Sequence, residues 1–174
     1  MAADEMITIG WTGKAHGLKG EVRLYPAARY EALVHRIGRL FLVGEDGLPR
    51  ERTVEAVRRH HEVFLIKLSG ADDRSAAETL EKMRVTVRRA DLESAGWEGA
   101  FPEDLEGMEV VTAQGAVVGV VERVEEYPAG EMYEVRTGGR SILVPAVPPI
   151  LVEIDLEKRR IVIAPPEGLL ELNS

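Results

Sequence analysis

Apolar and polar residues alternate with a period of two along much of this chain. Ile7, Ile9 and Trp11 show the pattern near the start. Because alternate side chains of a strand point to the same face, this period predicts half-buried β-strands. In the first half the pattern predicts further strands around 22–24, at 39–43, on both sides of a turn near 60–62, and at 85–87. The first half is therefore predicted to be mainly β.

One segment of the first half has helical rather than strand periodicity. In "SAAETLEKM", residues 75–83, Ser75 and Glu78 have the spacing of a capping box. Ala76, Leu80 and Met83 would share one face of the helix. The sequence predicts a single short helix here, before the strand at 85–87.

The alternating pattern is interrupted once and then resumes. The segment "ADLESAGWEGAFPEDLEG" combines glycine, proline and acidic residues without periodicity. We therefore predict a first domain at 1–90, a linker at 91–100 and a second domain at 101–174. Strands of the second domain are predicted at 108–112, 117–127, 132–137, 141–145 and 160–165. Short strands at this spacing are typical of small barrels or sandwiches, so the predicted fold class is all-β with two small domains.

Composition limits the classes of protein that this chain can belong to, and it shows that the two halves differ in charge. The 174 residues include no cysteine, which excludes disulfides and thiol nucleophiles and fits a reducing cytoplasm. The longest apolar run, 142–152, contains three prolines and is too short for a membrane span, so we expect a soluble cytoplasmic protein. Residues 1–90 carry 16 Lys and Arg against 13 Asp and Glu, whereas 91–174 carry 6 against 17. Such a split suggests partners of opposite charge, or simply a soluble acidic half.

The stretch "GKAHGLKGEVRLYP", residues 13–26, is the first candidate site. It lacks the spacing of a phosphate-binding P-loop and of a dinucleotide-binding loop. "GLKG" matches the GXXG clamp of KH domains, but that clamp joins two helices and this segment continues as a strand. A glycine-bent β-hairpin remains, carrying Lys14, His16 and Lys19, with Arg23 just beyond. It is either a nucleic-acid contact or a plain turn.

No sequence pattern indicates catalysis. The nucleophile motif G-x-S-x-G and the zinc motif H-E-x-x-H are both missing from the sequence. His60 and His61 are adjacent, so in a strand they would point to opposite faces and could not bind one metal ion together. We therefore expect no enzyme activity, no cofactor and no metal.

Four segments together resemble the bacterial ribosome maturation factor RimM family. They are "IGWTGKAHGLKGEVRL", "GADDRSAAETLEKMRVTVRRADL", "DLEGMEVVTAQGAVVGVV" and "LVPAVPPILVEIDLEKRRIVIAPPEGLLEL". They occur in the family's order and cover about residues 6–172. The resemblance implies a six-stranded N-terminal barrel like those of translation factors, followed by a PRC-type β-barrel.

The resemblance also implies a function and partners. Family members are non-enzymatic assembly factors that bind the immature small ribosomal subunit near its head. They bind ribosomal protein S-nineteen and promote late processing of the small-subunit rRNA. For this chain the expected partners are that protein and the immature subunit with its rRNA, bound by a monomer.

Site residues follow from matching the family's motifs to this sequence. The rRNA or subunit candidates are Lys14, His16, Gly17, Lys19, Gly20 and Arg23. The family has an aromatic pair before its Asp-Leu-x-Gly motif, where this chain has "GAFPEDLEG". The candidates for binding the ribosomal protein are Trp97, Phe101, Asp104 and Leu105. On the sequence alone, Phe101 is either an interface anchor or a core residue.

Two rival functions stay open at the level of the sequence. A general RNA-binding barrel would have the same hairpin without a ribosomal role. A cofactor-binding barrel is the second rival, because barrels of this kind also carry flavins and a fold does not determine function.

Overall fold

In the computed structural model, which describes residues 4–127 and 129–172, the chain divides into two compact units. The first ends at Glu98 and the second begins at Gly99. This break lies inside the predicted linker, and whether each half folds alone stays a prediction. The mainly β fold class is confirmed, since strands are the predominant regular structure of both units.

The first unit is a closed barrel of six strands. They are β1 (Met6–His16), β2 (Glu21–Pro26), β3 (Arg39–Val43), β4 (Pro49–His60), β5 (Val63–Leu68) and β6 (Arg84–Arg88). Neighbouring strands are antiparallel, and the order around the barrel is β1-β2-β5-β4-β3-β6. The alternation read from the sequence is confirmed, because Ile7, Ile9, Val22 and Leu24 are all buried.

The first unit has more helix than predicted. The expected helix exists as α1 (Arg74–Glu78), but its N-cap is Asp73, whose carboxylate accepts a hydrogen bond of 2.8 Å from the Ala76 N–H. The prediction of a capping box at Ser75 is therefore wrong, because the helix begins before that residue. Ala77 and Leu80 are the buried residues of this segment.

Two further elements of the first unit have no clear sequence pattern. They are a 3-10 helix at Ala28–Arg36 and α2 at Arg89–Ser94. Leu92 of α2 is fully buried, so residues that the sequence assigned to a linker belong to the first unit. A helix of six residues is too short to show a period, which explains the difference.

The second unit is a sheet of six strands. They are β7 (Glu109–Thr112), β8 (Val117–Tyr127), β9 (Gly130–Thr137), β10 (Arg140–Pro145), β11 (Leu151–Asp155) and β12 (Arg160–Ile163). Their order is β10-β9-β8-β7-β12-β11, and β12 runs parallel to β7 while the other pairs are antiparallel. Short helices α3 (Pro102–Leu105) and α4 (Leu169–Leu172) flank it. Its core includes Met108, Tyr133 and Ile161.

Candidate functional site

The glycine-rich stretch forms a β-hairpin, as the sequence predicted. β1 ends at His16, β2 begins at Glu21, and residues 17–20 make the turn. Gly20 has φ +91°, and a Cβ there would lie 2.0 Å from the carbonyl oxygen of Ala71. Gly17 has φ +65° but open space around it. Gly20 is therefore required both for its backbone conformation and for a close backbone approach, whereas Gly17 is required for its conformation alone.

Side chains from the helical segment hold the hairpin in place. The Ala15 N–H donates a 2.8 Å hydrogen bond to Glu81, and Arg74 donates a 3.1 Å bond to the carbonyl oxygen of Gly17. Both bonds join residues more than fifty positions apart in the chain. The turn is therefore fixed to the barrel, so its side chains are presented in a defined place.

The hairpin presents three cationic side chains. Lys14 and Lys19 are exposed, and Arg23 is half-buried. Across residues 4–127 and 129–172, none of these three forms an ion pair. Leu18, at the tip, is 79% exposed. An unpaired cation retains its full attraction for an incoming anion, so the hairpin is suited to contact phosphate groups.

One carboxylate lies among these cations. Glu21 accepts two hydrogen bonds from Arg58 of β4, both at 2.9 Å. These bonds, with the nearby charges of His16 and Lys19, lower the pKa of Glu21 despite partial burial. Glu21 is therefore ionised at neutral pH and its charge is matched by Arg58, which leaves the remaining cations available to an anion.

Three histidines meet beside these charges. The ring centroids of His16 and His60 are 4.9 Å apart, and those of His60 and His61 are 4.5 Å apart. The prediction that His60 and His61 point to opposite faces is wrong. His61 lies in the turn after β4 with φ +55°, so strand alternation does not apply to it. Sequence reasoning missed this contact because nothing in the sequence shows which strand ends meet.

The environment of His60 disfavours its charged form. Desolvation lowers the pKa of His60, and the charges of His61, His16, Arg58 and Arg23 lower it further. These contacts define one group, which we call the cationic cluster: His16, Lys19, Arg23, Arg58, His60 and His61, with Glu21 among them. Within the described residues, no three His, Asp or Glu side chains are arranged to hold a metal ion.

The second set of candidate residues does not contribute to this cluster. Trp97 packs its edge on Tyr30 at 4.9 Å between ring centroids, and the Arg29 guanidinium lies over both rings at 5.2 and 5.4 Å. Trp97 is half-buried in the first unit. Its ring therefore has a packing role in that unit.

Phe101 and Leu105 are core residues by burial. Phe101 is 2% exposed and Leu105 is fully buried. Asp104 is half-buried, and its carboxylate accepts a 3.0 Å hydrogen bond from the Phe101 N–H at the start of α3. A side chain with no accessible surface cannot anchor a partner. Of the two alternatives for Phe101, burial therefore favours packing over an anchor role, and the same holds for Leu105.

The fold and this site define a class of protein. It is a protein of two β-units whose first barrel carries a fixed cationic hairpin, an arrangement suited to binding an anion. In the part of the chain that the structure describes, no helix is long and apolar enough to cross a membrane.

Comparisons with known proteins identify the family. Residues 7–92 match the RimM N-terminal domain, and residues 102–169 match the RimM PRC barrel domain. The ribosome maturation factor RimM of Corynebacterium glutamicum is 36% identical over 174 residues, covering 99% of this chain and all of that protein. RimM of Frankia alni is 34% identical over 180 residues, covering 97% of this chain and 99% of that protein. The chain belongs to the RimM family of ribosome maturation factors.

Two solved structures are also similar. A crystal structure of a 16S ribosomal RNA processing protein RimM from Pseudomonas aeruginosa is 24% identical and covers 91% of this chain and 96% of that chain, with a TM-score of 0.47. The solution structure of the N-terminal domain of RimM from Thermus thermophilus is 31% identical and covers 51% of this chain and 94% of that chain, with a TM-score of 0.44.

Proposed function

We propose that this protein is a non-enzymatic assembly factor that binds the immature small ribosomal subunit near its head and promotes late maturation and rRNA processing. It would do so in the cytoplasm, as a monomer without a cofactor. The observation that supports a contact with RNA is the fixed hairpin with its unpaired Lys14, Lys19 and Arg23. Membership of the RimM family supports the ribosomal role.

The proposed RNA contact is electrostatic. Lys14 and Lys19 lie on a hairpin that Arg74 and Glu81 hold in place, so its backbone loses little freedom on binding. The free energy of each phosphate contact is therefore largely retained. Each phosphate neutralised by Lys or Arg releases counterions, which makes affinity fall as salt increases. Backbone contacts of this kind position a protein on RNA without reading its sequence.

The second unit supplies the proposed protein contact. Residues 99–174 carry 14 acidic against 6 basic residues, and Glu103 and Glu106 of its first helical segment are exposed. Such a surface complements a basic ribosomal protein, which for this family we propose to be S-nineteen. With Phe101 buried, this contact would depend on charge. The affinity of the full chain for that protein, measured by calorimetric titration, should therefore fall strongly between low and physiological salt. No detectable complex at low salt would contradict the partner.

The decisive experiment is sedimentation of the full chain with purified ribosomal particles. We expect wild-type protein to migrate with free, immature small subunits and to be depleted from complete ribosomes. A Lys14→Glu, Lys19→Glu variant should bind more weakly, and its log–log salt slope should be shallower by about 0.7 to 0.9 for each phosphate that is no longer neutralised. Lys82→Glu, Lys158→Glu is the matched control, with the same change of charge outside the cluster.

The same preparations distinguish the rival functions. A general RNA-binding barrel would be displaced from subunits by an equal mass of unrelated duplex RNA, whereas a specific assembly factor would stay bound. A flavin-binding barrel would show visible absorbance after purification. Association mainly with translating ribosomes would contradict the assembly role.

A further inference from the structure

The meeting of His16, His60 and His61 is not explained by the fold. In the barrel order, β2 and β5 lie between β1 and β4, yet the rings of His16 and His60 are 4.9 Å apart. His61 adds a third ring at 4.5 Å from His60. Protonated imidazoles are all positively charged and repel one another. Acidic conditions alone therefore do not stabilise this grouping.

The conformation of His61 is also unfavourable for the fold. It is the first residue of the two-residue turn between β4 and β5 and has φ +55°. Glycine accepts this conformation at no steric cost, whereas a side chain at this φ is strained. A histidine in this position therefore costs stability, and such local strain is typical of functional positions.

The charged and titratable groups that act on His60 come from several elements. They are His16 from β1, Arg23 from β2, Arg58 from β4 and His61 from the next turn. Lys19 of the hairpin turn acts on Glu21 of β2. Glu21 is already engaged by Arg58. His60 therefore faces an excess of positive charge, which disfavours its protonated form until an anion arrives.

We propose that His16, His60 and His61, together with Arg23, form a proton-linked site for a phosphate group of the RNA backbone. This inference rests on the proposed function, because the phosphate would belong to the bound rRNA. Two oxygens of a phosphodiester can accept hydrogen bonds from imidazole N–H groups and from a guanidinium at once. The bound negative charge favours protonation of the imidazoles, so binding takes up protons and becomes tighter as the pH falls.

The first test uses the full chain and inorganic phosphate. NMR titration of the histidine side chains is carried out with phosphate and with chloride at equal ionic strength. We expect phosphate to raise the pKa of the three clustered histidines by about half a unit or more, because a nearby opposite charge favours the charged form. His35, which packs on Phe64 outside the cluster, is the internal control and should not respond. Equal pKa values in both salts would overturn the site.

The second test separates binding from folding with His61→Gly. This variant removes one imidazole and relieves the strain, so it should raise the melting temperature while reducing affinity for purified small subunits at pH 6 several-fold more than at pH 8. Lys82→Gly is the matched control, since Lys82 also has a positive φ of 56°. It should gain stability and leave the pH dependence of binding unchanged. Equal pH dependence in wild type and His61→Gly would overturn the proposal.

The results of the two tests distinguish an error in the phosphate site from an error in the proposed function. If wild-type protein binds subunits with no change between pH 6 and 8, the proton-linked site is wrong and the assembly role stands. If phosphate shifts the three histidines but wild-type protein binds no subunits at either pH, the phosphate site stands and the proposed function is wrong.

Discussion

Glu21 and Arg58 form a bidentate ion pair although β5 lies between their strands. The guanidinium donates through Nε and Nη2 to the two carboxylate oxygens, both at 2.9 Å. The Arg58 side chain remains 52% exposed. The pair therefore keeps an accessible arginine neutralised at the edge of the cationic cluster.

Removing the acid should strengthen binding to RNA. In Glu21→Gln, Arg58 loses its charged partner and becomes available to phosphate. We expect tighter association with small subunits and a log–log salt slope steeper by about 0.7 to 0.9, measured by sedimentation at several salt concentrations. Stability should fall by no more than about 1 kcal/mol, as for exposed ion pairs in general. Glu109→Gln, which breaks an ion pair with Arg160 in the second unit, should leave binding unchanged. Unchanged slopes in both variants would show that Arg58 does not reach the RNA.

The two turn glycines should differ in their sensitivity to alanine. Gly20→Ala should destabilise by more than about 2 kcal/mol, because a Cβ would contact the Ala71 carbonyl in addition to the strained φ. Gly17→Ala should cost only about 1 to 2 kcal/mol, the cost of the left-handed conformation without a clash. Urea unfolding of both variants measures the difference. Equal decreases in stability would mean that the turn does not approach Ala71 in solution.

Phe101 should behave as a core residue. Phe101→Ala should lower the free energy of unfolding by about 3 to 5 kcal/mol, since truncating a buried ring leaves a cavity. Val117→Ala is the control, because Val117 is 67% exposed and should cost little. Calorimetry with the ribosomal protein, corrected for the folded fraction, should give unchanged affinity. Weakened binding with normal stability would restore the anchor role.

Asp46 provides a test of the turn between β3 and β4. Hydrogen bonds from Arg50 and from the Leu48 N–H lower the pKa of Asp46 to about 2, from an ordinary value of 3.8. Because the folded-state pKa is depressed, this interaction stabilises the fold above pH 3.8 and is lost as the pH falls toward 2. NMR titration of the carboxyl measures the value directly. Arg50→Met should return it toward 3.8, whereas Arg52→Met should not.

The sequence could predict the strands because burial imposes their period. Ile7 and Ile9 are buried and alternate with the half-buried Met6 and Thr8, and the turn glycines at positions 17 and 20 mark the hairpin. The pattern does not reveal β11, since its pairing with β12 shifts register between Leu151 and Glu153 and this irregularity breaks the alternation.

The site could be predicted only where its residues are neighbours in the chain. Lys14, His16 and Lys19 belong to one hairpin, so the sequence groups them. Arg58 and His60 join them through the barrel order, in which β5 pairs with both β2 and β4. No local pattern encodes that order. The burial of Phe101 is likewise a tertiary property, because an aromatic residue next to acids fits either a surface or a core.

In both units the earliest strand pairs with one of the latest. β1 pairs with β6, and β7 lies parallel to β12. During synthesis, neither sheet can complete its hydrogen bonding until the far strand has left the ribosome exit tunnel. The first barrel can close once Arg88 has emerged, while the second unit must wait for Ile163, with the apolar face of β7 exposed until then. We therefore expect the first unit to complete its fold before the second during synthesis.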